Sequence, residues 1–136
     1  MNSYAAVTQV ATAQSLTSDA VARINDELQF AREVVATKEG TTTKTTFISS
    51  WLNHRVMLKN GDNAIVLSYV NETKTPPVVV ASSSGVLVPV LKGLHYDGPD
   101  YKTWTYTIDI MKRDATTTGP GVSIKSTTIT CQQIGN

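Results

Sequence analysis

The periodicity of the apolar residues changes abruptly at Gly40 and divides the sequence into a helical part and an extended part. Before this point, five apolar residues recur at alternating spacings of three and four: Val21, Ile24, Leu28, Ala31 and Val35. This spacing places them along one face of an α-helix. Beyond Gly40 the spacing is lost, and stretches rich in β-branched residues take its place. The sequence therefore predicts an amphipathic helix over residues 15–39, followed by a β-rich region over residues 41–136.

The predicted helix has recognisable signals at both ends. Thr17 or Ser18 can cap its first turn, where the negative charge of Asp19 suits the helix dipole. Gly40, just beyond the last turn, is typical of a helix C-terminus. Residues 1–14 are mostly small and polar with scattered valines, and we interpret them as an N-terminal arm.

The apolar face of this helix has two candidate partners. It can lie on the chain's own sheet, or it can pack against its counterpart in another subunit. The candidate residues for packing between subunits are Val21, Ile24, Leu28 and Val35. The stripe covers only about two heptads, whereas coiled coils usually need more repeats to stand alone. The first interpretation is therefore favoured, and the second stays open.

The β-rich region divides into about seven strands separated by turn-forming residues. Asn60 and Gly61 stand between two apolar runs and predict a β-hairpin, because both residue types tolerate positive φ. Residues 102–112 form the clearest strand, since large apolar side chains alternate with threonine there. The predicted fold is mainly β with one N-terminal helix (α+β), in a single domain over residues 1–136. Its β part is an antiparallel sandwich or barrel-like sheet, with the helix packed on it or on a neighbouring subunit.

The composition favours a protein that contacts other protein surfaces over one that binds a strongly charged partner. Charged residues make up 17% of the chain, against roughly 25% in an average soluble protein. Threonine, serine and asparagine supply the remaining polarity, and charges are depleted at the centres of protein interfaces because their desolvation is unfavourable. The formal net charge is only +1, so DNA, acidic membranes and polyanionic substrates are not indicated.

The sequence also bears on location. Cys131 is the only cysteine, so an internal disulfide cannot form. The first residues lack both a basic stretch and a continuous apolar stretch, and we therefore expect no signal peptide. No segment approaches the roughly 18 apolar residues of a spanning helix. We expect a location in a virion or in the host cytoplasm.

Residue patterns that support catalysis or metal binding are absent from the sequence. His54 and His95 have no second histidine at metal-ligand spacing, and one cysteine cannot complete a zinc site. There is no G-x-S-x-G motif to expose a nucleophilic serine. Cys131 lies in a strand, where a cysteine is usually a small buried apolar residue. We expect no catalytic residue, no metal site and no cofactor.

One cluster of rings is a candidate site for binding a partner. It comprises His95, Tyr96, Tyr101, Trp104 and Tyr106, within twelve positions around a loop that contains glycine and proline. Such rings can stack on sugars, bases or lipid headgroups, and they anchor protein interfaces. Alternatively, Trp104 and Tyr106 belong to the core while the other rings hold the loop in place. The candidate partner-binding residues are Tyr96, Tyr101, Trp104 and His95.

Basic residues on the strands form a second, weaker candidate site. Arg55, Lys59, Lys112 and Arg113 could contact phosphates if their strands were adjacent. The balanced net charge favours ordinary solvated strand edges instead, and lysines also protect such edges from unwanted pairing.

Three classes of function are consistent with these features. The first is a non-enzymatic structural protein that self-assembles, such as a coat, decoration or connector subunit of a virus or bacteriophage. Its partners would be copies of itself or other virion proteins, with nucleic acid only weakly indicated. The second is a cytoplasmic lectin-like or membrane-binding β-sandwich that uses the aromatic loop. The third is a small enzyme, which ranks last because no residue cluster has the spacing that chemistry requires.

Overall fold

A computed structural model describes residues 2–72, 74–113 and 121–135. Within these ranges the chain forms one helix, α1 (Asn2–Gln29), followed by eight strands. The strands are β1 (Arg32–Glu39), β2 (Thr42–Ile48), β3 (Arg55–Asn60), β4 (Ala64–Tyr69), β5 (Val78–Ser82), β6 (Leu87–Asp97), β7 (Thr103–Lys112) and β8 (Val122–Gln132).

The strands form two antiparallel sheets in which each strand pairs with its neighbour in sequence. One sheet has five strands in the order β1-β2-β3-β4-β5, and the other has three in the order β6-β7-β8. Asn60 links the two sheets, because its side chain donates to the carbonyl of Leu91 at 2.8 Å and accepts from the amide of Leu91 at 2.7 Å. The prediction of a mainly β, α+β fold with a sandwich-like arrangement is confirmed.

The core lies where the three-stranded sheet, the five-stranded sheet and α1 meet. Asp109 and Met111 are also buried, so the alternation predicted for β7 is present only as far as Ile108. Trp104, Tyr106, Ile108 and Ile110 are fully buried. They pack against the buried face of α1, which presents Ala13, Ala20, Ile24 and Leu28. Ile24 and Leu28 are thus buried in their own chain and are not available to a second subunit. Val21 is half-buried against the same core.

The helix begins much earlier than predicted. Residues 2–14 are helical, whereas the sequence predicts an N-terminal arm there. Thr17, a predicted cap, lies inside the helix and donates its hydroxyl to the carbonyl of Ala13 at 2.8 Å. The segment has no apolar stripe, but it is rich in alanine, the residue with the highest helix propensity.

The helix also ends ten residues earlier than predicted. The carbonyl of Gln29 accepts hydrogen bonds from the amides of Ile134 and Gly135, at 2.8 and 3.1 Å, in place of an amide four residues further along the helix. Glu33 has a φ of 48°, which a right-handed helix excludes. Val35 therefore belongs to strand β1 and not to the helix. The contact with the C-terminal segment is distant in sequence, so local periodicity could not indicate it.

Gly40, the predicted helix stop, instead forms the turn between β1 and β2. Glu39 pairs with Thr42, which leaves a two-residue loop of Gly40 and Thr41. Gly40 has a φ of 67°, as the first loop residue of a type II′ hairpin requires. The same signal, a glycine after a β-branched segment, fits both a helix end and a hairpin turn. The extra strand β1 explains why eight strands are found where about seven were predicted.

Candidate functional site

Two rings of the aromatic cluster, Trp104 and Tyr106, are core residues. Trp104 is fully buried, and its ring contacts those of Phe47 and Tyr96 at centroid distances of 5.7 and 4.7 Å. Tyr106 is also fully buried and donates its hydroxyl to the side-chain oxygen of Asn25 at 2.7 Å, which ties β7 to α1. Burial raises the pKa of Tyr106 far above its usual range. Neither ring can contact an external partner without opening the core.

The other rings divide between a structural role and exposure. Tyr96 is half-buried against Trp104 and donates its hydroxyl to the side chain of Gln133, and burial raises the pKa of Tyr96. Tyr101 is 70% exposed, and His95 is exposed on β6. The predicted cluster therefore reduces to two surface rings, Tyr101 and His95.

The basic residues do not form one face. Arg55, at the start of β3, donates to the carbonyl of Glu33 at 2.9 Å and to the hydroxyl of Thr46 at 3.1 Å. Lys59 lies four residues further along β3, about 13 Å away in an extended strand. Arg55 is therefore hydrogen-bonded within its own sheet, and its contact with a phosphate stays a prediction.

Lys112 and Arg113 are exposed at the end of β7, in the other sheet. Arg113 and Asn60 line one surface pocket of about 210 Å³, which brings the Lys59 end of β3 close to the β7 end. Three of the four predicted basic residues therefore lie at one end of the molecule, on exposed strand ends, while Arg55 lies at the other end of β3.

A larger pocket, which the sequence did not indicate, lies beside the C-terminal end of α1. Its volume is about 520 Å³, and two exposed rings line it, Phe30 (44% exposed) and Trp51 (61% exposed). Arg23, Asp26 and Glu27 supply charged groups to the same pocket. Another pocket of about 380 Å³ is also lined by Arg23 and lies beside β5, nearer the N-terminus of α1. The rings are 21 positions apart in the sequence, so no local motif could reveal that they line one pocket.

Glu27 contributes a buried carboxylate to the lining of this pocket. It is buried and accepts a hydrogen bond of 2.8 Å from the hydroxyl of Ser49. Burial raises the pKa of Glu27, and the hydrogen bond from Ser49 only partly opposes this effect. The pocket can therefore offer two aromatic faces and a mixed set of charges to a ligand or to a protein side chain.

Strand β1 is the most exposed of the described strands. Seven of the eight residues of β1 are exposed, and Val34 is half-buried. Val35 remains 47% exposed although it lies within a strand. Among the described residues, no strand pairs with the outer edge of β1. The residues that flank a two-residue loop, here Glu39 and Thr42, form a hydrogen-bonded pair. Hydrogen-bonded and non-hydrogen-bonded pairs alternate along the strand, so the backbone N–H and C=O groups of Thr37 and Glu39 point toward β2. Those of Ala36 and Lys38 point toward the free edge.

A β-bulge interrupts β1 near its start. Arg32 pairs with Ile48 and Val35 pairs with Thr46, so Glu33 and Val34 together oppose Phe47. Glu33 takes the positive φ that the first residue of such a bulge adopts, where glycine is usual. Its carbonyl accepts the hydrogen bond from Arg55 described above, which holds the bulge in place.

Cys131 and His95, the candidate groups for nucleophilic chemistry, do not lie together. Cys131 is buried, and burial raises the pKa of its thiol. His95 pairs with Thr105, whereas Cys131 pairs with Trp104, so the two side chains lie on opposite faces of the three-stranded sheet. Within residues 2–72, 74–113 and 121–135, no three His, Cys, Asp or Glu residues come close enough to hold a metal ion. In the same ranges, no helix combines the length and the apolar character needed to cross a bilayer.

Comparisons with protein-family models, with curated proteins and with solved structures found no match to this chain.

Proposed function

We propose that the chain is a non-enzymatic structural protein that assembles with copies of itself, as a coat, decoration or connector component of a virion. The observation that carries this proposal is the exposure of β1. The strand pairs with β2 from Arg32 to Glu39, with one bulge, yet almost none of its side chains is buried by the rest of the chain.

The free-energy balance of the hairpin supports an external partner. Residues 35–43 of the hairpin are exposed on both faces, and a two-stranded ribbon of this kind is marginally stable in water, because few side chains are buried to offset the loss of conformational entropy. An open edge also presents unpaired backbone groups to solvent. A second protein surface on β1 would bury Val35 and satisfy the outward groups of Ala36 and Lys38.

The surface chemistry is consistent with such a contact. The hairpin carries six threonines between Thr37 and Thr46, and hydroxyl groups are less costly to desolvate than charges. The assignment to a virion rests on the low charge content, the β-rich fold and the lack of an internal disulfide. Ile24 and Leu28 play no part in the proposed contact between subunits, since they are buried within the chain.

The mass of the native protein tests this proposal. Light scattering over a wide range of concentrations, with negative-stain imaging, should show oligomers that grow with concentration. The informative variant is Ala36→Pro, because proline removes an amide that points away from β2 and leaves the β1–β2 ladder intact. Ala36→Val is the matched control, since it keeps the amide and suits a strand.

We expect the parent and Ala36→Val to assemble, and Ala36→Pro to remain small while unfolding at a similar temperature. A parent protein that stays monomeric at the highest concentrations would refute self-assembly.

The pocket beside α1 favours a recognition module as the second candidate. Phe30 and Trp51 present exposed rings there, whereas only Tyr101 and His95 of the predicted aromatic loop reach the surface. Glycan and liposome binding by the parent, compared with Trp51→Ala and Tyr101→Ala, would test this alternative. Binding that falls to background in Trp51→Ala alone would assign recognition to the pocket, and binding that falls in Tyr101→Ala alone would assign it to the loop.

A further inference from the structure

We propose that two copies of the chain pair through their β1 strands, antiparallel and around a two-fold axis at Ala36. In this arrangement Arg32 lies opposite Glu39 of the second copy, and Glu33 lies beside Lys38 of the second copy. The inference rests on the proposed self-assembly and specifies the interface, the partner and the register.

Symmetry restricts the registers that two copies of one strand can adopt. In an antiparallel pair, opposed residues either both point their backbone groups toward the partner or both point them away. A two-fold axis must therefore pass through a residue opposed to its own counterpart, and not between two residues. Ala36 and Lys38 point toward the free edge, so an axis at Ala36 places a hydrogen-bonded pair at the centre. Val35 then opposes Thr37 of the second copy in a pair without direct hydrogen bonds.

The bulge decides which charges meet. In a regular strand centred on Ala36, Glu33 would oppose Glu39 of the second copy, and like charges in direct opposition are unfavourable. The bulge inserts one extra residue, since Glu33 and Val34 occupy one position together. Arg32 therefore moves opposite Glu39, and Glu33 moves beside Lys38. Because of the two-fold axis each contact occurs twice, which gives four ion pairs of opposite sign.

The opposed charges also share faces of the sheet. The register with β2 places Arg32, Val35 and Glu39 on the face of Ile48, Thr46 and Thr42. Glu33, Val34 and Lys38 lie on the other face, with Phe47 and Thr43. Each predicted ion pair thus joins side chains on the same face. Arg32 also donates to the side chain of Asn53 at 3.1 Å, and its remaining guanidinium donors stay available to a carboxylate.

Neighbouring registers lack this complementarity. An axis at Thr37 would oppose Lys38 to Ala36 and Glu39 to Val35, so no ion pair would form. An axis at Val35 would oppose Arg32 to Thr37 and leave Glu39 beyond the end of the partner strand. Only the register centred on Ala36 pairs all four charged residues of β1, and it joins the two five-stranded sheets into one continuous sheet.

Disulfide trapping tests the register directly. In the proposed dimer the two copies of residue 36 are opposed at a Cα separation of about 5.5 Å, within the range that a disulfide spans. The two copies of residue 38 are about 14 Å apart, because each lies four residues along from its counterpart. Ala36→Cys and Lys38→Cys are matched variants, since both positions are exposed and share one face. The parent controls for Cys131, which is buried.

Under mild oxidation we expect Ala36→Cys to give covalent dimer on the order of tenfold more than Lys38→Cys. The parent should give none. The register would be overturned if the parent assembles but Ala36→Cys gives no covalent dimer, or if the two variants are trapped equally. Self-assembly would remain intact in either case. A monomeric parent with no trapping at either position would overturn both proposals.

Charge reversal provides a second measurement that does not depend on cysteine. Lys38→Glu places two carboxylates side by side across the interface, and we expect the dissociation constant of the dimer to rise about tenfold. Adding Glu33→Lys restores opposite charges and should return the constant to within about threefold of the parent. If the double variant associates as weakly as Lys38→Glu alone, these charges do not meet.

Discussion

The hydroxyl of Ser49 donates a hydrogen bond of 2.8 Å to the carboxylate of Glu27 and joins the chain just beyond β2 to α1. The same hydroxyl accepts from the amide of Leu52 at 3.1 Å, so it also holds the turn that follows. Ser49 is fully buried and Glu27 is nearly so. This contact fixes the loop that carries Trp51 against the end of the helix, and it therefore shapes the larger pocket.

Removing the carboxylate should destabilise the protein. Glu27→Ala leaves the buried hydroxyl of Ser49 without its acceptor, and we expect the free energy of unfolding to fall by about 1–3 kcal/mol in urea denaturation. Asp26→Ala is the matched control, because Asp26 is the exposed neighbour on the same helix and should change stability by less than about 0.5 kcal/mol. Equal effects of the two substitutions would argue against the buried contact.

The raised pKa of Glu27 predicts how Glu27→Gln depends on pH. The folded protein binds a proton at this site more tightly than the unfolded chain, so stability increases as the pH falls through the folded pKa toward the ordinary value of 4.5. The glutamine in Glu27→Gln does not take up this proton, so the variant does not gain stability as the pH falls. The stability of Glu27→Gln relative to the parent should therefore be greatest at neutral pH and smallest near pH 4.5. A difference that is constant with pH would show that the carboxylate is solvated in the folded state.

The C-terminal segment should be essential for the end of the helix. Gln133 is buried, donates its side-chain amide to the carbonyl of Ala31 at 2.6 Å and accepts the hydroxyl of Tyr96. The amides of Ile134 and Gly135 bind the carbonyl of Gln29. Gln133→Ala would leave the carbonyl of Ala31 and the hydroxyl of Tyr96 without these partners, at a cost of about 1–3 kcal/mol. Gln132→Ala, at an exposed neighbouring position, is the control in the same thermal unfolding experiment.

Deleting residues 133–136 should have a larger effect on secondary structure. The carbonyl of Gln29 would lose both hydrogen bonds, so amides in the last turn of α1 should exchange faster with solvent than those near Ala20. Unchanged protection in the last turn would contradict the role of the C-terminal segment.

The strands were more predictable from the sequence than the helix boundaries. The alternation through Trp104 and Tyr106 reports one buried and one half-buried face, and it predicts the start of β7 to within one residue. The hairpin after β3 is also as predicted, although the two-residue loop is Asp62 and Asn63, with positive φ at Asn63. Both signals arise from neighbouring residues, so the sequence alone contains them.

The helix end, the bulge and the pocket depend on contacts between distant residues. Val35 fits the helical stripe and an exposed strand equally well, and the hydrogen bonds from the C-terminal segment to Gln29 favour the strand. The bulge at Glu33 depends on Arg55, which is 22 positions away. For the same reason the sequence could not separate Trp104, which is buried, from Tyr101, which is exposed, because the number of rings in a segment does not report which of them is buried.

The two tryptophans should report opposite environments. Trp104 is fully buried and Trp51 is 61% exposed. Trp51→Phe should leave a blue-shifted emission that acrylamide quenches poorly, with a change in stability within about 0.5 kcal/mol. Trp104→Phe should leave a red-shifted, strongly quenched emission. Similar quenching of both variants would contradict the buried position of Trp104.

Asp109 should make the protein sensitive to acid. It lies on the central strand of the three-stranded sheet, where Lys92 of β6 contacts its carboxylate at 2.8 Å and Ser123 of β8 donates a hydrogen bond to it. Burial alone would raise the pKa of Asp109, but these two hydrogen bonds and the charge of Lys92 outweigh it and lower the pKa below the ordinary value of 3.8. The stability that the ionised carboxylate provides is therefore complete above pH 3.8 and is lost as the pH falls through the folded pKa.

Asp109→Asn tests this acid sensitivity. At neutral pH the variant should be less stable than the parent by about 1–2 kcal/mol, since it loses the ion pair but can keep a hydrogen bond with Ser123. Because more than half of the Lys92 side chain is exposed, solvent screening keeps the loss in this modest range. The difference between the two proteins should shrink as the pH falls below 3.8, where the parent loses the same interaction. Asp100→Asn, at an exposed position in the preceding loop, is the control and should change stability at neutral pH by less than about 0.5 kcal/mol. A stability difference for Asp109→Asn that persists unchanged into acid would mean that side-chain shape, and not ionisation, determines the role of this residue.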